Sequence, residues 1–231
     1  MKHLLALLLL VAPAYAAPPT TFPQLLKAAT PPGYLVRIYQ IDSDGDRSAG
    51  TGALISKDLI LTASHVVDGK VGSKVEVLFL SDWSVVLGEV IKVDPNDGAG
   101  PEGKGHDVAL IKVPPRKEKP IPIAVIASKG PATIQGYAYG PYLKQTGDYY
   151  SLDTTSRWGI IKNAQARNGD SGGPVTQGGA LIGVLWGASD NHTWFTPIQK
   201  IVVLIPEIRS TPLQELDKVK NESPSVIYSL R

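Results

Sequence analysis

Gly169-Asp170-Ser171-Gly172-Gly173-Pro174 sets a serine in a glycine-rich loop. Glycine adopts backbone dihedrals that other residues resist, so the N–H groups of such a loop can turn toward a ligand. A nucleophilic serine with an oxyanion-binding backbone needs that freedom. Two further segments carry the chemistry such a serine would use. Thr62-Ala63-Ser64-His65-Val66-Val67 offers a base, and Gly105-His106-Asp107-Val108-Ala109-Leu110-Ile111 offers an acid.

Amide or ester hydrolysis by a serine takes a nucleophile, a base that accepts its proton and an acid that orients the base. Ser171, His65 and Asp107 are the residues for these roles. His65 comes after the apolar run Leu59-Ile60-Leu61-Thr62, a strand that would fix it rigidly. Asp107 opens the apolar run Val108-Ala109-Leu110-Ile111, where an acid is expected to be partly buried. Each residue alone has a plainer reading. A histidine after a strand is commonly structural, and an acid at a strand start is commonly a turn residue. Their conjunction with the serine loop is what singles them out.

Outward from these motifs the chain reads as short β-branched runs separated by turn residues. Tyr34–Ile41, Gly52–Ile55, Leu59–Thr62, Lys74–Leu80, Val85–Val93 and Val108–Val113 form one group. Ile123–Ile126, Thr133–Tyr139, Tyr149–Thr155, Gly159–Ile161, Pro174–Thr176, Ala180–Ala188 and Thr193–Pro197 form a second. The charged, proline-rich segment Pro114–Pro122 divides them, and a helix is expected around Ile198–Ile205. Two β-rich halves of similar length predict an all-β chain of two closed barrels, since closure removes exposed sheet edges. The 231 residues bury enough apolar surface to fold without covalent staples. The absence of cysteine excludes disulfides and thiolate metal sites. A net charge of +2 with no Lys/Arg-rich run argues against a nucleic-acid partner.

The N-terminus has the form of a secretory signal. Lys2 and His3 precede the apolar run Leu4 to Ala12, and Pro13-Ala14-Tyr15-Ala16 places small residues where cleavage is expected, after Ala16. The run is shorter than the roughly 20 residues that span a bilayer, so no membrane span is expected. The expected organisation is a signal peptide over residues 1–16, a Pro-rich linker or pro-segment over 17–33, a domain over 34–209 and a polar tail over 210–231. Within the domain, barrel one is expected over about residues 34–113 and barrel two over about 121–200. Export makes the expected location secreted or periplasmic. The sequence carries no signal for an oligomeric state.

The motifs together resemble the trypsin/chymotrypsin-like serine peptidases, and the chain looks most similar to the disulfide-free exported bacterial members. The resemblance is carried by Gly50-Thr51-Gly52-Ala53-Leu54-Ile55 through His65, by Asp107-Val108-Ala109-Leu110, and by Gly169 to Pro174, in the family's chain order. It implies two six-stranded-type antiparallel β-barrels, the trypsin-like double barrel, with a short C-terminal helix. It further implies a serine endopeptidase acting on polypeptide substrates without a cofactor. His65 would then be the base, Asp107 its orienting acid and Ser171 the nucleophile. The N–H groups of Gly169 and Ser171 resemble the oxyanion hole. Leu185-Trp186-Gly187 resembles the strand that pairs with extended substrate by strand addition.

Several positions depart from the better-known members. A serine usually precedes the Trp-Gly pair and hydrogen-bonds the catalytic acid, but here it is Leu185, so Asp107 needs support from elsewhere. The pocket-base position is Gln165 rather than an acid, with Ala166 and Thr193 as small walls. An uncharged pocket for apolar or small polar side chains is therefore expected. No Ile-Val-Gly-Gly start precedes the domain, so Asp170 is expected to pair with an internal cation, Arg167 or Arg157. A catalytically silent binding protein on the same fold is the alternative.

Other signals are weaker. The spacing also satisfies the G-x-S-x-G elbow, but Gly172-Gly173-Pro174 is a poor helix start and the only downstream histidine is His192. Asp42-Ser43-Asp44-Gly45-Asp46 opens like a calcium loop but lacks the closing glutamate, with Ala53 in its place. His65, His106 and His192 lack metal-ligand spacing, so no metal is expected.

Overall fold

A computed structural model describes residues 31–41, 47–68, 70–95, 105–124, 129–137, 142–151, 158–189 and 192–204. Six strands form the first closed barrel: β1 (Leu35–Ile41), β2 (Arg47–Leu54), β3 (Leu59–Thr62), β4 (Lys74–Phe79), β5 (Ser84–Asp94) and β6 (Val108–Lys112), in the order β1-β2-β3-β6-β5-β4. Six more form the second: β7 (Gly130–Gly136), β8 (Leu143–Ser151), β9 (Gly159–Lys162), β10 (Pro174–Gln177), β11 (Ala180–Ser189) and β12 (His192–Pro197), in the order β10-β11-β12-β9-β8-β7. Strand pairing is antiparallel throughout both barrels. Helix α1 (Ile198–Leu204) follows β12. The expected all-β double barrel with a short terminal helix is the fold observed.

The burial pattern explains the strands. Val75, Val77 and Phe79 of β4 are buried while Lys74 is exposed, the alternation of a half-buried strand. By contrast, β3 and β6 are buried almost throughout, and they pair with Thr62 opposite Ala109 and Leu61 opposite Leu110. That antiparallel pairing puts the end of β3 beside the start of β6. His65, after β3, and Asp107, before β6, thus arrive at the same barrel rim. Leu181 and Val184 of β11, with Ile198 and Ile201 of α1, pack into the same apolar cluster as the interior of barrel one. The two barrels therefore share a hydrophobic seam.

Several boundaries differ from the expected ones, among them β7, which begins at Gly130 rather than Thr133. Strand β2 begins at Arg47, not Gly52. Its Ser48-Ala49-Gly50 stretch lacks β-branched residues, and a Cβ on Gly52 would lie 2.8 Å from both Ile38 Cδ1 and Ile60 Cγ2. Small residues there make room for core side chains. Strand β8 begins at Leu143, not Tyr149, because its polar Lys144 to Asp148 portion hides the strand pattern. Of the strand expected at Ile123–Ile126, residues 125 and 126 lie outside the described residues, and Ile123 forms an isolated parallel bridge with Leu181. Pro120 and Pro122 lack the N–H donors that would extend a ladder there.

Residues 1–16, most of 17–33, the tail 210–231, the Asp42 to Asp46 stretch and Arg157 lie outside the described residues. Among the described residues, no helix is long and apolar enough to cross a membrane.

Candidate active site

Barrel one brings its acid and base together. A 3₁₀ turn over Ser64–Val67 follows β3, and Asp107 enters β6 with a left-handed φ of 52° after Gly105 at 79°. The Asp107 side chain is nearly buried, whereas 48% of the His65 side chain is exposed. Oδ2 of Asp107 lies 2.7 Å from Nδ1 of His65. Oδ1 accepts two hydrogen bonds, from the Ser64 hydroxyl at 2.6 Å and from the His65 N–H at 3.0 Å. Burial pushes the Asp107 carboxyl up, but the hydrogen bonds and charge of His65 and the Ser64 hydroxyl outweigh it and hold the group below the usual carboxylate range. The pairing engages Nδ1, and about half of the His65 side chain stays open to solvent.

His106 serves a different purpose. Its Nδ1 lies 2.7 Å from Asp94 Oδ2, and its carbonyl accepts a short hydrogen bond from the Thr196 hydroxyl of β12. It is a loop residue that ties the turn before Asp107 to barrel two.

Barrel two holds Ser171 through backbone groups. The Asp170 N–H donates to Arg167 O at 2.9 Å, and the Gly173 N–H donates to Asp170 O at 2.9 Å, so the loop is two successive turns. Gly169 and Gly172 take φ of 89° and 83°, which their lack of a Cβ permits. The Gly172 N–H donates to Leu185 O at 2.8 Å, and the Leu185 N–H donates to Gly173 O at 2.9 Å, fastening the loop to β11. On the other side, the Thr51 N–H donates to Ser171 O at 2.8 Å, and the Thr51 hydroxyl donates to Gly169 O at 2.8 Å.

The approach to barrel one is close. A Cβ on Gly172 would lie 2.1 Å from both Thr51 O and Thr62 Oγ1, and 3.0 Å from Ala63 N. The serine loop is thereby pressed against the end of β3, the segment that continues into Ser64 and His65. Among the described residues no hydrogen bond joins Ser171 Oγ to His65. The N–H groups of Gly169 and Ser171 donate to no backbone carbonyl among the described residues.

Asp170 is fully buried. Its Oδ2 accepts the Arg167 N–H at 2.8 Å and lies 3.5 Å from Arg167 Nε, so Arg167, one of the two cations expected, pairs with it. A Cβ on Gly136 would come within 2.3 Å of Asp170 Oδ1, so only glycine fits beside that carboxylate.

The residues read as pocket walls are placed unequally. The Ala166 N–H donates to Thr193 Oγ1 at 3.1 Å, and that hydroxyl donates to Ala164 O at 2.8 Å, which brings Ala166 and Thr193 together. Gln165 is exposed, its N–H donating to Gln145 Oε1 at 2.9 Å. The Leu185 side chain enters the core of barrel two, while its backbone holds the serine loop. Trp186 sits at a register shift between Leu185 and Gly187. Its ring lies between Trp158, at 4.5 Å, and Trp194, at 5.7 Å between centroids. The Gly187 backbone runs beside the Trp194 ring, to which an added Cβ would come within 3.6 Å.

Two contributors were not singled out from the sequence, Thr51 and Ser64. Thr51 is a buried hydroxyl residue between Gly50 and Gly52, and Ser64 is a buried hydroxyl immediately before the histidine. A hydroxyl inside an otherwise apolar strand end needs a partner, which is the signal that marks both.

Residues 50–184 match the family described as the trypsin-like peptidase domain, and the chain belongs to that family. It is 26% identical over 172 residues to a trypsin of Sarcophaga bullata, an alignment covering 59% of this chain and 68% of that protein. The fold is similar to that of a protease from M. tuberculosis in its active form, with a TM-score of 0.63 at 22% identity, covering 80% of this chain and 83% of that one. It is also similar to an inactivated protease paralogue of the scabies mite, with a TM-score of 0.61 at 16% identity, covering 76% of this chain and 93% of that one.

Proposed function

We propose that the chain is an exported serine endopeptidase that hydrolyses peptide bonds through His65, Asp107 and Ser171. The observation that carries this is the Asp107–His65 pair, 2.7 Å apart, on the rim against which the Ser171 loop is pressed. His65 takes the proton of Ser171 Oγ as that oxygen attacks the substrate carbonyl carbon. Asp107 fixes the imidazole with its Nδ1 protonated and offsets the positive charge that develops on it. The N–H groups of Gly169 and Ser171 receive the oxyanion, and His65 returns the proton to the leaving amine. Water then releases the acyl group from Ser171 by the same steps.

Gln165, Ala166 and Thr193 carry no charge, which favours apolar or small polar side chains at the pocket. Trp186 and Gly187 of β11 form the edge along which an extended polypeptide would pair. The signal-like residues 1–16 support export to a secreted or periplasmic location.

A second reading, a catalytically silent binding protein, is favoured by the lack of a hydrogen bond between Ser171 Oγ and His65 among the described residues. A fluorophosphonate probe separates the two. The endopeptidase reading expects stoichiometric labelling of the folded mature protein that vanishes in Ser171→Ala. Absence of labelling in the folded wild type would establish the silent reading instead.

A further inference from the structure

We propose that Ser64 is the positioning residue for Asp107, standing in for the serine that usually precedes the Trp-Gly pair. The inference rests on the endopeptidase reading above. Leu185 occupies that serine's place in the sequence and cannot donate a hydrogen bond from its side chain. Its side chain is also committed to the core of barrel two. The missing donor comes instead from the opposite direction, from the residue directly before the base. Ser64 is buried, and its hydroxyl reaches Asp107 Oδ1 at 2.6 Å.

The geometry divides the labour between the two carboxylate oxygens. Oδ1 receives the Ser64 hydroxyl and the His65 N–H, while Oδ2 is left for His65 Nδ1. Both Oδ1 donors belong to the start of the 3₁₀ turn that also carries the imidazole. Acid and base are thus clamped to one short segment, and the carboxylate cannot rotate without breaking the Ser64 bond. The clamp acts on a residue with a left-handed φ of 52°, a backbone state that persists where neighbours hold it. Charge-assisted hydrogen bonds of this kind are stronger than neutral ones. Ser64 touches neither substrate nor the reacting atoms, so its effect is through the orientation of Asp107 and hence of His65.

The test compares Ser64→Ala and Ser64→Thr with the wild type. The rate of fluorophosphonate labelling is measured against pH, and the Nδ1 proton of His65 is followed by NMR. Ser64→Ala is expected to slow labelling by about ten- to a hundredfold, the scale of a misplaced catalytic group. It should also displace the acidic limb of the rate profile and shift the Nδ1 proton resonance. Ser64→Thr, which keeps the hydroxyl, should restore both toward wild type. A Ser64→Ala protein that melts like the wild type with unchanged rate, pH profile and proton resonance would overturn the proposal. If the wild type itself is never labelled, the endopeptidase reading fails separately. A Ser64-dependent Nδ1 proton would then still uphold the positioning of the pair, and an unchanged one would overturn it.

Discussion

The two barrels build their shares of the site by opposite means. Barrel one works with side chains: two deeply buried strands end side by side, and Asp107, His65 and Ser64 hydrogen-bond to one another at that rim. Barrel two works with backbone: Ser171 is held by N–H and C=O groups of Arg167, Asp170, Gly172, Gly173 and Leu185, and by glycines with positive φ. Thr51 joins the two kinds, its N–H bonding Ser171 O and its hydroxyl bonding Gly169 O. The difference teaches where each half is fragile. The barrel-one share fails when a side-chain group is removed, and the barrel-two share fails when a Cβ is added.

The hardest test of this division asks whether the halves act as one unit. His65→Ala and Ser171→Ala are each expected to lower kcat on the order of a millionfold, with the double variant little worse than either. Kinetics on a peptide substrate cleaved by the wild type read this directly. Losses that add across the two barrels would show that the seam does not couple them.

A smaller effect separates steric from conformational demands on the serine loop. Gly172→Ala adds a methyl 2.1 Å from Thr51 O and Thr62 Oγ1, at a φ of 83°, with backbone on one side of the clash. It should cost about 3 kcal/mol or more of unfolding free energy and abolish labelling of Ser171. Gly178→Ala, at a φ of 56° in the hairpin after β10, meets nothing within 4 Å and should cost about 1 kcal/mol with labelling intact. Denaturant unfolding of both variants decides the matter. Equal costs would mean that left-handed strain, not the barrel seam, governs Gly172.

The same contrast sets how much was legible in the sequence. His65 and Asp107 were readable because each abuts an apolar strand, and the antiparallel partnership of β3 and β6 turns two distant motifs into one rim. Arg167 was readable as one of two candidate partners of Asp170, and it lies three residues earlier in the same loop. Residues whose part depends on backbone geometry were harder to find. Strand β2 runs from Arg47 through small residues, Gly50 lying against Val66 and Gly52 against Ile38 and Ile60, and no local pattern reports that. Strand β8 is polar along its first half and pairs with β7 through its backbone. Leu185 was read from its neighbours Trp186 and Gly187 as part of a substrate edge, yet its alternation with Val184 sends its side chain into the core of barrel two. The Ser64 contact spans 43 residues of chain and becomes visible only once β3 and β6 pair.

The smallest expected effect sharpens the side-chain half alone. The native environment holds the Asp107 carboxyl below its ordinary range, with hydrogen bonds to His65 and Ser64 outweighing burial. Over the interval between the native and unfolded values the unfolded chain binds more protons, so stability falls as pH falls through that interval. The contribution is fully present above the unfolded value of about 3.9 and is lost as pH drops through the lower native value. Asp107→Asn keeps an oxygen to accept the Ser64 hydroxyl and the His65 N–H but has no proton to take up. Its stability is therefore expected to lie below wild type near neutrality and to converge on it in acid. Unfolding free energies of both proteins from pH 7 down to about pH 3 would show the gap closing. A gap that stays constant over that range would mean that the clamp on Asp107 distinguishes its charged form no better than its neutral one.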